Sequence, residues 1–123
     1  MKILLVEDDR GVRETLAGIL TAVGHDVSVA TDGARALGML RTGELPSVIL
    51  VDLMMPNMDG YRFREAQKGD VALAHIPVIA ITADRRADAQ LLGAEIIRKP
   101  FDPDVLLRAL AKYETQASGT RKQ

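Results

Sequence analysis

The run VILVDLMMPNMDG, Val48 to Gly60, carries a carboxylate where an apolar strand should simply end. A buried, unpaired charge is costly, so the surroundings must either pair Asp52 or use it. The pattern recurs: Ile3 to Val6 runs into Glu7, Asp8 and Asp9, Val78 to Ile81 into Thr82, and Glu95 to Arg98 into Lys99. If these ends converge, several carboxylates meet, and each close pair costs about 4 kcal/mol at an effective dielectric of about 20. Such a cluster takes up protons or recruits a cation. Oxygen ligands with room for water suit Mg²⁺. A cation and the Lys99 ammonium would keep Asp52 ionised as a nucleophile and offset charge on an incoming phosphoryl group. The Thr82 hydroxyl could then hydrogen-bond a phosphoryl oxygen.

The elements that must position these groups follow from periodicity. Val12, Leu16, Ile19, Leu20 and Val23 recur at helical spacing after the first strand, with Gly24 as the stop. HDVSVAT alternates like a strand, Asp32-Gly33 punctuates it, and Ala36, Leu37 and Leu40 mark a second helix ending at Gly43. A helix over about 60–68 follows the third strand. IPVIAIT is the fourth strand, DRRADAQLLGA has room only for a short helix, and Glu95 to Arg98 forms the fifth strand. Asp102-Pro103 opens the last helix, with Asp as N-cap and Pro in the first position, and Val105, Leu106, Ala109, Leu110 and Tyr113 give it an apolar face. A domain over 1–116 and a polar, disordered tail over 117–123 are expected.

Five β-α units in series predict an α/β fold, a doubly wound five-stranded parallel sheet with helices on both faces. Strands covered on both faces explain why VILV and VIAI are continuously apolar. In such sheets the ligand site lies beyond the carboxyl ends of the strands, where the reactive residues fall.

Composition narrows the function. The chain of 123 residues carries a net charge of −1, which removes the long-range attraction expected of a nucleic-acid or membrane-surface binder. Two Phe, two Tyr and no Trp provide no base-stacking platform. Without cysteine there is neither a disulfide nor thiolate chemistry, which is compatible with a reducing compartment. The apolar run in MKILLVEDD is too short for a secretory signal, and no segment approaches the roughly 18 apolar residues of a membrane span. A cytoplasmic protein with no membrane or direct nucleic-acid partner is expected.

ILLVEDD, VILVDLMMPNMDG, VIAITA and RKPF, taken in this order, resemble the receiver domain of two-component response regulators from Lys2 to about Tyr113. The resemblance implies a flavodoxin-like strand order 2-1-3-4-5 and assigns a role to each residue. Asp52 matches the phosphoacceptor, Asp8 a direct metal ligand, and Glu7 the acidic neighbour that often acts through water. Met54 matches the position whose backbone carbonyl completes the Mg²⁺ site. Thr82 matches the switch hydroxyl and Lys99 the lysine that pairs with the phosphoryl group, with Pro100 after it where a cis peptide is typical. Gly60 falls in the loop beyond the acceptor. The implied partners are a histidine kinase or phosphotransfer protein and a downstream protein target. About ten residues follow the last helix, too few for a DNA-binding unit, so a stand-alone receiver, monomeric or weakly dimeric, is expected.

Two features depart from the family. Thr82 and Lys99 are 17 positions apart, fewer than in most members, which shortens the fourth helix region. The usual aromatic switch position, three before the lysine, is Ile96. These departures motivate a competing reading, an interaction module that no longer switches on phosphorylation. A phosphohydrolase using an aspartyl-phosphate is disfavoured, because Met54 stands where such enzymes carry a second Asp. Asp9 reads as a helix cap, His25 and His75 fall outside the cluster, and Arg85 and Arg86 read as a solvated helix start.

Overall fold

The computed structural model describes residues 1–121, with side chains described to residue 114. The elements are β1 (Lys2–Val6), α1 (Arg10–Ala22), β2 (Asp26–Ala30), α2 (Gly33–Thr42), β3 (Val48–Asp52), α3 (Gly60–Lys68), β4 (Val78–Thr82), α4 (Ala89–Leu92), β5 (Glu95–Arg98) and α5 (Pro103–Arg121). All four strand pairings are parallel, and the order is β2-β1-β3-β4-β5. The predicted α/β class and doubly wound sheet are therefore present, in the flavodoxin-like order.

Strand parity divides the core. Leu4, Val6, Ile49, Val51 and Val78 point to one face and pack with Ala36, Leu37 and Leu40 of α2 and Phe63 of α3. Ile3, Leu5, Val48, Leu50, Ile79, Ile81 and Ile97 point to the other and pack with Leu16 and Leu20 of α1 and Leu106, Ala109 and Leu110 of α5. Every residue of β3 and β4 is buried, as the continuous apolar runs predict. A smaller cluster of Leu53, Ala80, Ala87 and Leu92 seats the short α4, with Ile96 packed against it.

The helix boundaries have local causes. Asp9 caps α1 by accepting the Val12 N–H at 2.9 Å, and Asp32 and Asp59 cap α2 and α3 in the same way. Gly24 ends α1 at φ 99°, and Gly93 ends α4 at φ 63°. Asp102 accepts the Asp104 N–H at 3.0 Å at the start of α5. The expected apolar faces hold except at their ends, where Val23 and Val105 are exposed. Helix α5 continues to Arg121, so the segment expected as a tail, 117–123, overlaps its last turns and at 122–123 lies outside the described residues. Among the described residues no helix is long and apolar enough to cross a membrane.

Candidate functional site

The sheet reverses its winding between β1 and β3, and the crevice beyond the carboxyl ends of these strands is where an open α/β sheet binds ligands. Glu7 continues the β1–β2 ladder, its N–H donating to the Ala30 carbonyl at 3.0 Å, and its side chain is buried. Asp8 next to it is exposed. Asp52 closes β3 and is largely buried. One carboxylate oxygen from each of Glu7, Asp8 and Asp52 can be chosen so that all lie within 4.8 Å of one another. Lys99 follows β5, and its Nζ donates to Asp52 Oδ2 at 3.1 Å and Glu7 Oε1 at 3.4 Å.

These contacts set the electrostatics. Burial first, and then the Asp52 charge, push the Glu7 carboxyl up to about 7; the Asp9 N–H and the Lys99 ammonium act in the opposite sense. For Lys99, burial disfavours the charge, but the hydrogen bond to Asp52 and the two nearby carboxylates outweigh it and raise its pKa. A divalent cation among these carboxylates would act against the rise at Glu7, because it favours their charged forms. Three carboxylate donors of hard oxygen, one of them exposed to water, fit Mg²⁺.

Main-chain contacts hold the frame. The Lys99 N–H donates to the Thr82 carbonyl at 2.8 Å, and the Leu53 N–H to the Ile81 carbonyl at 3.1 Å, so the ends of β3, β4 and β5 stay in register. The Lys99–Pro100 peptide is cis. Asp52 Oδ1 accepts the Met54 N–H at 2.9 Å, while Met54 itself is 59% exposed. Gly60 closes the loop by donating its N–H to the Leu53 carbonyl at 3.2 Å. A Cβ there would meet the Asp52 carbonyl oxygen and Leu53 Cα at 2.6 Å. Only glycine lets α3 begin this close to the end of β3.

The structure brings Glu7, Asp8, Asp52 and Lys99 together. It places Thr82 at the end of β4, fully buried, with its hydroxyl accepting the Asp84 N–H at 2.9 Å. It places the Met54 main chain directly after β3, bonded to Asp52 through its N–H.

Several residues of the site escape sequence reasoning. Arg13 on α1 donates Nη1 to the carbonyls of Glu7 and Asp8, at 3.0 and 3.1 Å, fixing the turn that carries both acids. Arg98 donates Nη1 to the Asp84 carbonyl and Nη2 to the Ala87 carbonyl, at 2.9 and 2.7 Å. Arg64 grips the other end of the short crossover at the carbonyls of Leu92 and Gly93. Tyr61 donates its hydroxyl to Asp84 Oδ2 at 2.7 Å, and this bond, followed by the Arg86 N–H, holds the Asp84 carboxyl below the usual range. The one legible signal was position: Arg98 alternates with Ile97 along β5, so the two side chains leave on opposite faces.

Comparison with known proteins agrees with this geometry. The chain is 38% identical to the response regulator PleD of Caulobacter vibrioides over 94% of its length, and it spans 26% of that longer protein. It is 32% identical to protein PilG of Pseudomonas aeruginosa, covering 92% of this chain and 87% of that one. Among solved structures, the chemotaxis response regulator CheY4 of Vibrio cholerae superposes with a TM-score of 0.82 at 28% identity, over 91% of this chain and 97% of the other. The receiver domain of the sensor histidine kinase PA1611 of Pseudomonas aeruginosa, solved with a magnesium ion in its active-site cleft, gives 0.81 at 27% identity, over 91% and 95%. The family model of the response regulator receiver domain matches residues 3–111, most of the chain. The chain belongs to the response regulator receiver domain family.

Proposed function

We propose that the chain accepts a phosphoryl group on Asp52 from a phosphohistidine of a histidine kinase or phosphotransfer protein, and signals through protein–protein contacts. The observation that carries this is the convergence of Glu7, Asp8 and Asp52 from two strand ends, with the Lys99 ammonium bonded to Glu7 and Asp52. An Asp52 oxygen attacks phosphorus, the donor's P–N bond breaks, and its electron pair leaves on the imidazole nitrogen. Lys99, already bonded to Asp52, pairs with the phosphoryl oxygens as they arrive. The Thr82 hydroxyl, whose oxygen accepts the Asp84 N–H before transfer, turns to donate its proton to one of them.

Glu7, Asp8, Asp52 and the Met54 carbonyl would hold Mg²⁺. When bound, the ion offsets charge on the carboxylates and the transferring group. The magnesium described in the PA1611 receiver domain supports this assignment. Met54, exposed and two residues past the acceptor, hinders water, so the acyl phosphate decays slowly and Met54→Asn speeds the decay.

Acetyl phosphate with Mg²⁺, applied to wild type and Asp52→Asn, tests the proposal by mass and by solution size. A gain of one phosphoryl group in wild type only is expected. No gain in either favours a second reading, a receiver-like interaction module that works without phosphorylation. The four-residue α4 and Ile96 at the aromatic switch position are the observations on its side.

A further inference from the structure

Each polar main-chain and side-chain atom of Asp84 is bonded, and the partners belong to different parts of the fold. Its N–H donates to Thr82 Oγ at the end of β4, at 2.9 Å. Its Oδ2 accepts the Tyr61 hydroxyl from α3 at 2.7 Å. Its Oδ1 accepts the Arg86 N–H at 2.9 Å, and its carbonyl accepts Arg98 Nη1 from β5 at 2.9 Å. Asp84 thereby links the end of β4, α3 and β5 through one residue. We propose that Tyr61 is a positioning residue for the acceptor site, acting through Asp84 to restrain the hydroxyl of Thr82 and to carry its movement out to α3.

The inference rests on the reading of Asp52 as phosphoryl acceptor. Thr82 is fully buried, so turning its hydroxyl toward a phosphoryl oxygen withdraws the acceptor from the Asp84 N–H. That N–H is only partly buried, and it regains a partner when the 83–88 loop shifts. The shift must stretch the Tyr61–Asp84 bond, which is charge-assisted and therefore stronger than a neutral one. Tyr61 lies in the first turn of α3 and is more than a third exposed, so its movement is presented at the surface. Ile96 leaves β5 without an aromatic ring near this loop, whereas α3 places one on it. Weakening the tie makes the shifted loop easier to populate, and whatever binds the shifted state gains affinity.

The full chain can be tested with Mg²⁺ and beryllium fluoride as the phosphoryl analogue. There are two tyrosines, so ring labelling gives two signals, and Tyr113→Phe assigns them. Tyr113 is an internal control, because its hydroxyl donates to Glu95 at 3.2 Å on a different element. The Tyr61 signal should shift on analogue binding while Tyr113 stays fixed, and Thr82→Val should abolish the shift. Tyr61→Phe should tighten analogue binding by about fivefold, with unchanged affinity for Mg²⁺ alone. A still Tyr61 signal, when the Lys99 amide reports bound analogue, overturns the inference and leaves the acceptor reading intact. So does an equal shift in Thr82→Val. No analogue binding by the Lys99 amide overturns both.

Discussion

Lys99 Nζ lies 3.1 Å from Asp52 Oδ2 although their strands, β5 and β3, are separated in the sheet by β4. The long lysine side chain crosses over the end of β4 to reach a carboxylate two strands away. It also meets Glu7 from β1, so one ammonium ties together three strand ends. Its side chain is about a quarter exposed, so the ammonium stays open to the crevice.

Replacing Lys99 with Met should leave Glu7 and Asp52 facing each other without that cation. A loss on the order of 1–2 kcal/mol is expected for the metal-free chain, less than for a fully buried pair because Lys99 is partly solvated. Mg²⁺ should recover part of the loss. Urea denaturation with and without the ion checks this, and equal losses in both would show that packing rather than charge is at work.

Glu7 makes the metal-free stability depend on pH. Its folded pKa of about 7 lies above its ordinary value of 4.5, so between these values the folded state holds a proton that the unfolded chain has released. The stabilisation is complete below about 4.5 and is lost as pH rises through about 7. Denaturation midpoints across this range should fall with rising pH in EDTA and stay flatter in Mg²⁺. A slope that persists in Glu7→Gln would assign it to another group.

Gly60 and Gly18 offer a contrast. A Cβ at Gly60 collides with main chain at 2.6 Å, so Gly60→Ala should lose about 1–3 kcal/mol and weaken Mg²⁺ binding through displacement of Asp52. A Cβ at Gly18, inside α1, meets nothing within 4 Å, and Gly18→Ala should gain about 0.5–1 kcal/mol. Calorimetric melting of the two variants, with magnesium titrations, separates the effects.

Gln67 holds the turn between α3 and β4. It is fully buried, and its Nε2 donates to the carbonyls of Leu73 and Ile76 at 2.9 and 3.0 Å. Gln67→Leu preserves bulk but strands both acceptors, so a loss of about 2–4 kcal/mol is expected. Amide hydrogen exchange should rise first over residues 70–76, since they depend on these bonds.

The amino-acid sequence by itself determined the sheet, most helix boundaries and which polar residues stand at the strand ends. Runs such as VILV and VIAI can be satisfied only between two covering layers, and Asp9 and Asp102 mark helix starts through short-range bonds. The candidate site residues were legible because each interrupts an apolar run at a strand end. Only tertiary structure decided that Arg13 grips the Glu7–Asp8 turn, that Arg98 and Arg64 clamp the short crossover, and that Tyr61 reaches Asp84. Periodicity records which face of an element is buried, but not which polar group a long side chain will find across a neighbouring element. Those partners follow from the sheet order and the seating of α3 and α4, which no local pattern encodes.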